Sequence, residues 1–158
     1  MVSAANAAGR TLSLISGLSV RLINASDAAA PLCELVRNDA PTGARLSGAI
    51  LEAAVAWNTC FVVFLTDDIP SEDALHIYLL DANFQPLDSA SLSAPYTTGS
   101  FTALRLMPPD QLAFRFFGDG AWHVELLPHA KARIPFLSEP AGVKRPLGFS
   151  RRFIVRSD

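Results

Sequence analysis

Between Leu46 and Leu104 the sequence has no lysine or arginine, although 13 occur elsewhere in its 158 residues. Glu52, Asp67, Asp68, Glu72, Asp73, Asp81 and Asp88 all fall in that stretch, which makes the middle of the chain an acidic block. Cations gather instead near the end, where Lys131, Arg133, Lys144, Arg145, Arg151, Arg152 and Arg156 face only Glu139 and Asp158. A net charge of −2 therefore conceals two segregated regions, residues 46–104 and 131–156. Complementary patches fix orientation as well as affinity, so one region is expected to dock on the other, within a subunit or between copies in a homo-oligomer.

Other absences narrow the function classes. Two cysteines, Cys33 and Cys60, stand far apart and in no CxxC spacing, which implies neither a disulfide framework nor a zinc or redox motif. Hydrophobic residues make up 50% and mean hydropathy is +0.28, yet no apolar run nears the roughly 18 residues of a membrane helix. No membrane association is expected, and the apolar excess reads as surface that meets a partner. Residues 1–10 are small and polar, read as a frayed end, and lack the charged segment and apolar core of a signal peptide, so a cytoplasmic location is expected. No GxSxG, phosphate loop, dinucleotide-binding glycine motif or HExxH occurs, and no cofactor is implied. Nucleic acid is disfavoured as a partner because the isoelectric point is about 5.9 and the tail's Phe149 and Phe153 stand where a core face would put them.

What the chain does contain is a series of short strand patterns in one domain, residues 1–158. Cys60–Leu65 is apolar at every position and rich in β-branched and aromatic residues, as a strand covered on both faces should be. Leu75–Leu79 alternates, with Leu75, Ile77 and Leu79 on one face and His76 and Tyr78 on the other. The acidic loop between them, with Pro70 ahead of Ser71, Glu72 and Asp73, suits one helical turn. Thr11–Ile15 and Leu18–Ile23 alternate around Ser16 and Gly17, as a hairpin or one kinked strand. Leu32–Val36 fits a short helix or a strand. Residues 46–57 fit both periods too, and a strand turning through Asn58 and Thr59 is preferred. Ser100–Met107 reads as a strand ended by Pro108 and Pro109, residues 128–146 as an irregular, proline-punctuated connection, and 147–156 as a closing strand with Arg151 among Phe149, Phe153 and Val155.

Leu112–Leu127 reads as a hairpin. A two-residue loop at Asp119 and Gly120 would pair Phe116 with His123 and mix charge into the apolar face. A three-residue loop with Gly120 left-handed pairs Phe116 with Trp122, Phe114 with Val124 and Leu112 with Leu126. Arg115 then lies opposite His123, with Glu125 diagonal. The fold class that follows is all-β, or β-rich α+β, as an antiparallel β-sandwich or flattened barrel with at most one or two short helices.

Three groups of residues could carry chemistry. Asp67, Asp68, Glu72 and Asp73 could hold Ca²⁺ or Mg²⁺ or divide into acid and base, although the spacing lacks the glycine and glutamate of a calcium loop and fits a solvated connection. Arg115, His123 and Glu125 could transfer protons, or form an exposed cross-strand charge set. Arg145, Arg151 and Arg152 could fork onto a small anion, and His76 with Tyr78 could line an interface. Cys60 reads as inert filler, and Cys33 as reactive only if exposed. The function expected is a non-enzymatic module that binds protein or small ligands. The alternative is a small hydrolase or isomerase built on Arg115, His123 and Glu125 or on the Asp67–Asp73 loop.

Overall fold

The computed structural model describes residues 11–24, 30–134 and 139–158. The described residues are all-β, with three antiparallel sheets packed together and no closed barrel among them. No helix occurs among the described residues, and so none is long and apolar enough to cross a membrane. The middle layer joins β1 (Leu12–Leu14), β5 (Ile50–Trp57), β6 (Cys60–Thr66), β7 (Leu75–Leu80), β8 (Pro86–Leu92) and β12 (Val143–Lys144) in the order β1-β5-β6-β7-β8-β12. On one side lies the sheet β13-β11-β10-β9, built from β9 (Thr102–Met107), β10 (Gln111–Arg115), β11 (Trp122–Ala132) and β13 (Ser150–Ser157). On the other lies β2 (Leu18–Leu22), β3 (Leu32–Arg37) and β4 (Ala40–Ser47).

Two cores explain the strand patterns. Val62 and Phe64 of β6 face the four-stranded sheet and pack with Leu75, Ile77, Leu79, Phe114, Trp122 and Phe153. Val63 and Leu65 face the three-stranded sheet and pack with Cys33, Leu35 and Leu46. Both faces of β6 are thus covered, which an unbroken apolar run requires. In β7 only one face is fully apolar. His76 and Tyr78 lie half-buried on the other, where the Tyr78 hydroxyl accepts the Ser47 amide at 3.0 Å.

Turn chemistry sets the hairpins. Asn38 and Asp39 have φ of 49° and 68°, the left-handed pair a two-residue loop between β3 and β4 needs. Asn58, with φ of 56°, closes β5 onto β6 so that Trp57 opposes Cys60. Residues 46–57 are strand rather than helix, and their alternation changes phase once. A bulge at Glu52 puts Leu51 opposite Leu65 and Ala53 opposite Phe64, so Leu51 packs with the outer core and Ala53 with the inner one.

Of the two alternatives for residues 11–23 the hairpin is excluded and the kinked strand fits: the chain bends at Gly17, with φ of 86°, and sends β1 to β5 and β2 to β3. Three further expectations are corrected. Pro70–Asp73 is a turn closed by the Glu72 amide on the Ile69 carbonyl at 3.3 Å, not a helical turn. Residues 128–132 continue β11, and Lys131 and Ala132 pair with Arg151 and Ser150. The 112–127 hairpin is shifted by two residues, with Phe114 opposite Trp122 and Leu112 opposite Val124. Phe116 is drawn into the core, and Phe117 packs edge-on against Trp122 at 5.3 Å. Burial of these two rings widens the loop, and its left-handed glycine is Gly118 rather than Gly120. The proposed frayed end at 1–10 and part of the 128–146 connection lie outside the described residues.

Candidate functional site

The inward face of β8 reads Asp88, Ala90, Leu92, and that of β13 reads Arg151, Phe153, Val155. Each strand therefore aims one charged side chain into an otherwise apolar layer, which costs stability unless the charges are paired. They meet where the edges of the middle and four-stranded sheets converge. Arg145, immediately after β12, completes the cluster. Side-chain exposure is 4% for Asp88, 3% for Arg145 and 7% for Arg151.

Asp88 organises the donors. Its Oδ2 accepts Arg145 Nη2 and the Arg152 amide, both at 2.8 Å, and its Oδ1 accepts the Ser89 amide at 2.8 Å. Arg151 Nη1 stands 3.7 Å from Oδ1. Arg145 also donates through Nε to the Ser89 carbonyl at 2.8 Å and through Nη2 to the Phe153 carbonyl at 3.1 Å, with its guanidinium 4.4 Å from the Phe153 ring centre. Burial pushes the Arg145 pKa down, while Asp88 and Glu139 oppose that shift. A guanidinium keeps its charge through such a change.

Beside the cluster opens a cavity of about 440 Å³, lined by Glu139, Lys144, Arg145, Leu147 and Arg151 among others. That size suits a small ligand. Three cationic residues line it, of which Arg145 and Arg151 turn toward Asp88, and Glu139 lies 3.5 Å from Arg145 Nη1. Arg151 donates from Nη2 to the Pro146 carbonyl at 2.8 Å and from Nη1 to the Ser150 carbonyl at 3.2 Å. Its Nε is buried with no acceptor among the described residues, as is Arg152 Nε. A buried donor left unpaired costs about 1–3 kcal/mol, so Arg151 is held here at some cost to stability.

The other candidates separate. Arg115 donates to the Asp119 carbonyl at 2.7 Å, His123 Nε2 lies 2.8 Å from Asp158 Oδ1, and Glu125 accepts Arg156 at 2.8 Å. The shifted register opposes His123 to Ala113 and Glu125 to Gln111, so Arg115, His123 and Glu125 do not converge. In the acidic loop Asp73 Oδ1 accepts the amides of Asp67 and Asp68 at 2.9 and 3.1 Å. Asp67 turns inward to His76, while Asp68 and Glu72 stay exposed. No group of three or more His, Cys, Asp or Glu is placed to hold a metal ion among the described residues. Cys33 is buried, and burial pushes its thiol up to about 11, so the exposure its reactivity needed is missing.

Sequence reasoning named the arginines but not Asp88 as their partner. The available signal was a lone carboxylate in the Asp88, Ala90, Leu92 alternation, matched by a lone guanidinium in Arg151, Phe153, Val155. No family model, curated protein or solved structure matches the chain at a significant level.

Proposed function

We propose that the protein is a binding module that accepts a small anion, a carboxylate or phosphate, in the cavity beside Arg145 and Arg151. The observation that carries this reading is Arg151 Nε, buried without an acceptor among the described residues in a side chain that lines the cavity. Its Nη1 and Nη2 each give a hydrogen to a backbone carbonyl, its Nε–H is the donor left without any acceptor among the described residues, and Arg145 adds a second positive charge nearby.

Inorganic phosphate is the first probe. It should raise the melting temperature by an amount that grows with the logarithm of its concentration, beyond sodium chloride at matched ionic strength. Arg151→Gln should abolish that increment. An equal response to both salts, or an increment that Arg151→Gln leaves intact, refutes the proposal. Homo-oligomerisation through the 46–104 and 131–156 regions is the accompanying proposal. Asp88 is already paired within its own chain, so that association would rest on exposed groups such as Asp68, Glu72 and Lys131. Sedimentation at low and high salt tests it, since a monomer under both conditions rules it out.

A further inference from the structure

Three strands of the middle sheet bring together side chains that the sequence holds far apart. His76 on β7 stands directly opposite Ser91 on β8, and Lys144 on β12 stands opposite Ser91 on its other side. Directly opposed residues share a face, so His76, Ser91 and Lys144 form one row across the outer face of the sheet. His76 Nδ1 is 3.0 Å from Ser91 Oγ, and His76 Nε2 is 2.8 Å from Asp67 Oδ1. An ionised carboxylate only accepts, so Nε2 carries the ring proton and donates it to Asp67. Nδ1 is then the acceptor, and the Ser91 hydroxyl donates to it.

This is a nucleophile, a base and a group that orients the base. The two ring nitrogens exchange the roles they have in the serine-protease arrangement, which imidazole permits because either nitrogen can accept. Asp67 is fixed in turn by Asp73, whose Oδ1 takes the Asp67 and Asp68 amides. Side-chain exposure is 15% for His76 and 14% for Asp67, and Ser91 is half-buried. The row is therefore shielded but not sealed. An open groove of about 630 Å³, lined by Glu72, Ala74, Ser93, Pro95 and Lys144 among others, runs past the same ends of β7 and β8. Lys144 has no ion-pair partner among the described residues.

We propose that Ser91 is an activated nucleophile for acyl transfer from small carboxylic esters, with His76 as its base and Asp67 as the residue that positions the base. Ser91 Oγ bonds to the ester carbonyl carbon as its proton passes to His76 Nδ1, and the carbonyl π pair moves onto oxygen beside Lys144. Collapse re-forms the C=O bond and expels the alkoxide, which takes the proton from Nδ1. Water then repeats the sequence on the acyl-serine, giving the acid and free Ser91. No cofactor or oxidant enters.

A fluorophosphonate probe tests the nucleophile, and p-nitrophenyl acetate tests turnover. Peptide mass spectrometry should locate the adduct on Ser91, Ser91→Ala should take up none, and Asp67→Asn and His76→Gln should label about tenfold or more slowly. Circular dichroism of each variant separates lost labelling from lost fold, and Asp67→Asn, the mildest change, serves if His76→Gln unfolds. No adduct on the wild type, an adduct elsewhere, or equal labelling of a folded Asp67→Asn overturns the proposal. Ser91→Ala should keep the phosphate-dependent rise in melting temperature, so failure of the anion pocket and failure of the nucleophile are distinguishable.

Discussion

Removal of the Asp88 carboxylate is the most demanding perturbation of the charged cluster. Asp88 Oδ2 serves Arg145 and the Arg152 amide, and Oδ1 serves the Ser89 amide with Arg151 3.7 Å away. Asp88→Ala leaves two guanidiniums that are at least nine-tenths buried, Arg151 without its carboxylate and Arg145 with only the long bond to Glu139 at 3.5 Å. Breaking a buried pair from one side costs about 3–5 kcal/mol, which for a chain of this size lowers the melting temperature by roughly 6–20 °C. Asp88→Asn should cost nearly as much, because both oxygens accept backbone amides and either amide orientation turns an NH₂ toward a donor. Urea unfolding with a common m-value measures both variants. Phosphate should stabilise Asp88→Ala by about 2.7 kcal/mol at a hundredfold excess over its dissociation constant for that variant, and by more than it stabilises the wild type at the same concentration. A cost of Asp88→Ala below about 1 kcal/mol, the level of an exposed pair, would show that the cluster is solvated and refute its description as a buried pair.

Glu34 provides a test of pH dependence. The hydrogen bond from Arg21, helped by the Gly43 amide, holds its carboxyl below the ordinary glutamate value. A carboxyl with a lowered folded-state pKa adds stability that is complete above its unfolded-state value of about 4.3 and is lost as pH falls through the folded-state value. Urea midpoints of wild type and Glu34→Gln should therefore differ at neutral pH and converge as pH falls from the unfolded-state value through the lower folded-state one, and a constant gap would contradict this linkage. The thiols give a second check: a disulfide reagent should modify half-buried Cys60 first and reach Cys33, with its thiol pushed up to about 11, only on unfolding. Equal native-state rates would contradict the burial of Cys33.

Legibility in the sequence followed the range of each signal. Cys60–Leu65 was readable because burial on both faces leaves a run with no polar position, and β7 because one covered face leaves strict alternation. The phase of β5 was not readable, since one bulge at Glu52 swaps which neighbours face inward. The hairpin register failed for a related reason. Shifting it by two residues preserves side-chain parity and keeps the apolar face intact, so only the packing of Phe116 and Phe117 decides between the registers. The three-layer arrangement was hidden because Leu32–Val36 carries too few residues to separate a helix from the strand that covers the outer face. Among site residues, Arg145 and Arg151 stood out by type, whereas the facing of His76 and Ser91 needs the β7–β8 register, which no single sequence supplies.

The same layering explains why polar chemistry gathers at one edge. Across the middle sheet the faces lose apolar character in order: β6 is apolar on both, β7 on one, and β8 carries Asp88 among its inward residues and Ser89 and Ser91 outward. A carboxylate placed on β6 would have two layers of hydrocarbon around it and no donors in reach, at a cost of several kcal/mol. At β8 the neighbouring strand is the two-residue β12, and the chain beyond it brings Arg145 in on one face while Lys144 stays on the other. Strand alternation then puts Asp88 on the inner face and Ser91 and Lys144 on the outer one, while Arg145, just past β12, turns inward to Asp88. Two polar sites a single sheet apart are what a short edge strand permits and a central strand would forbid.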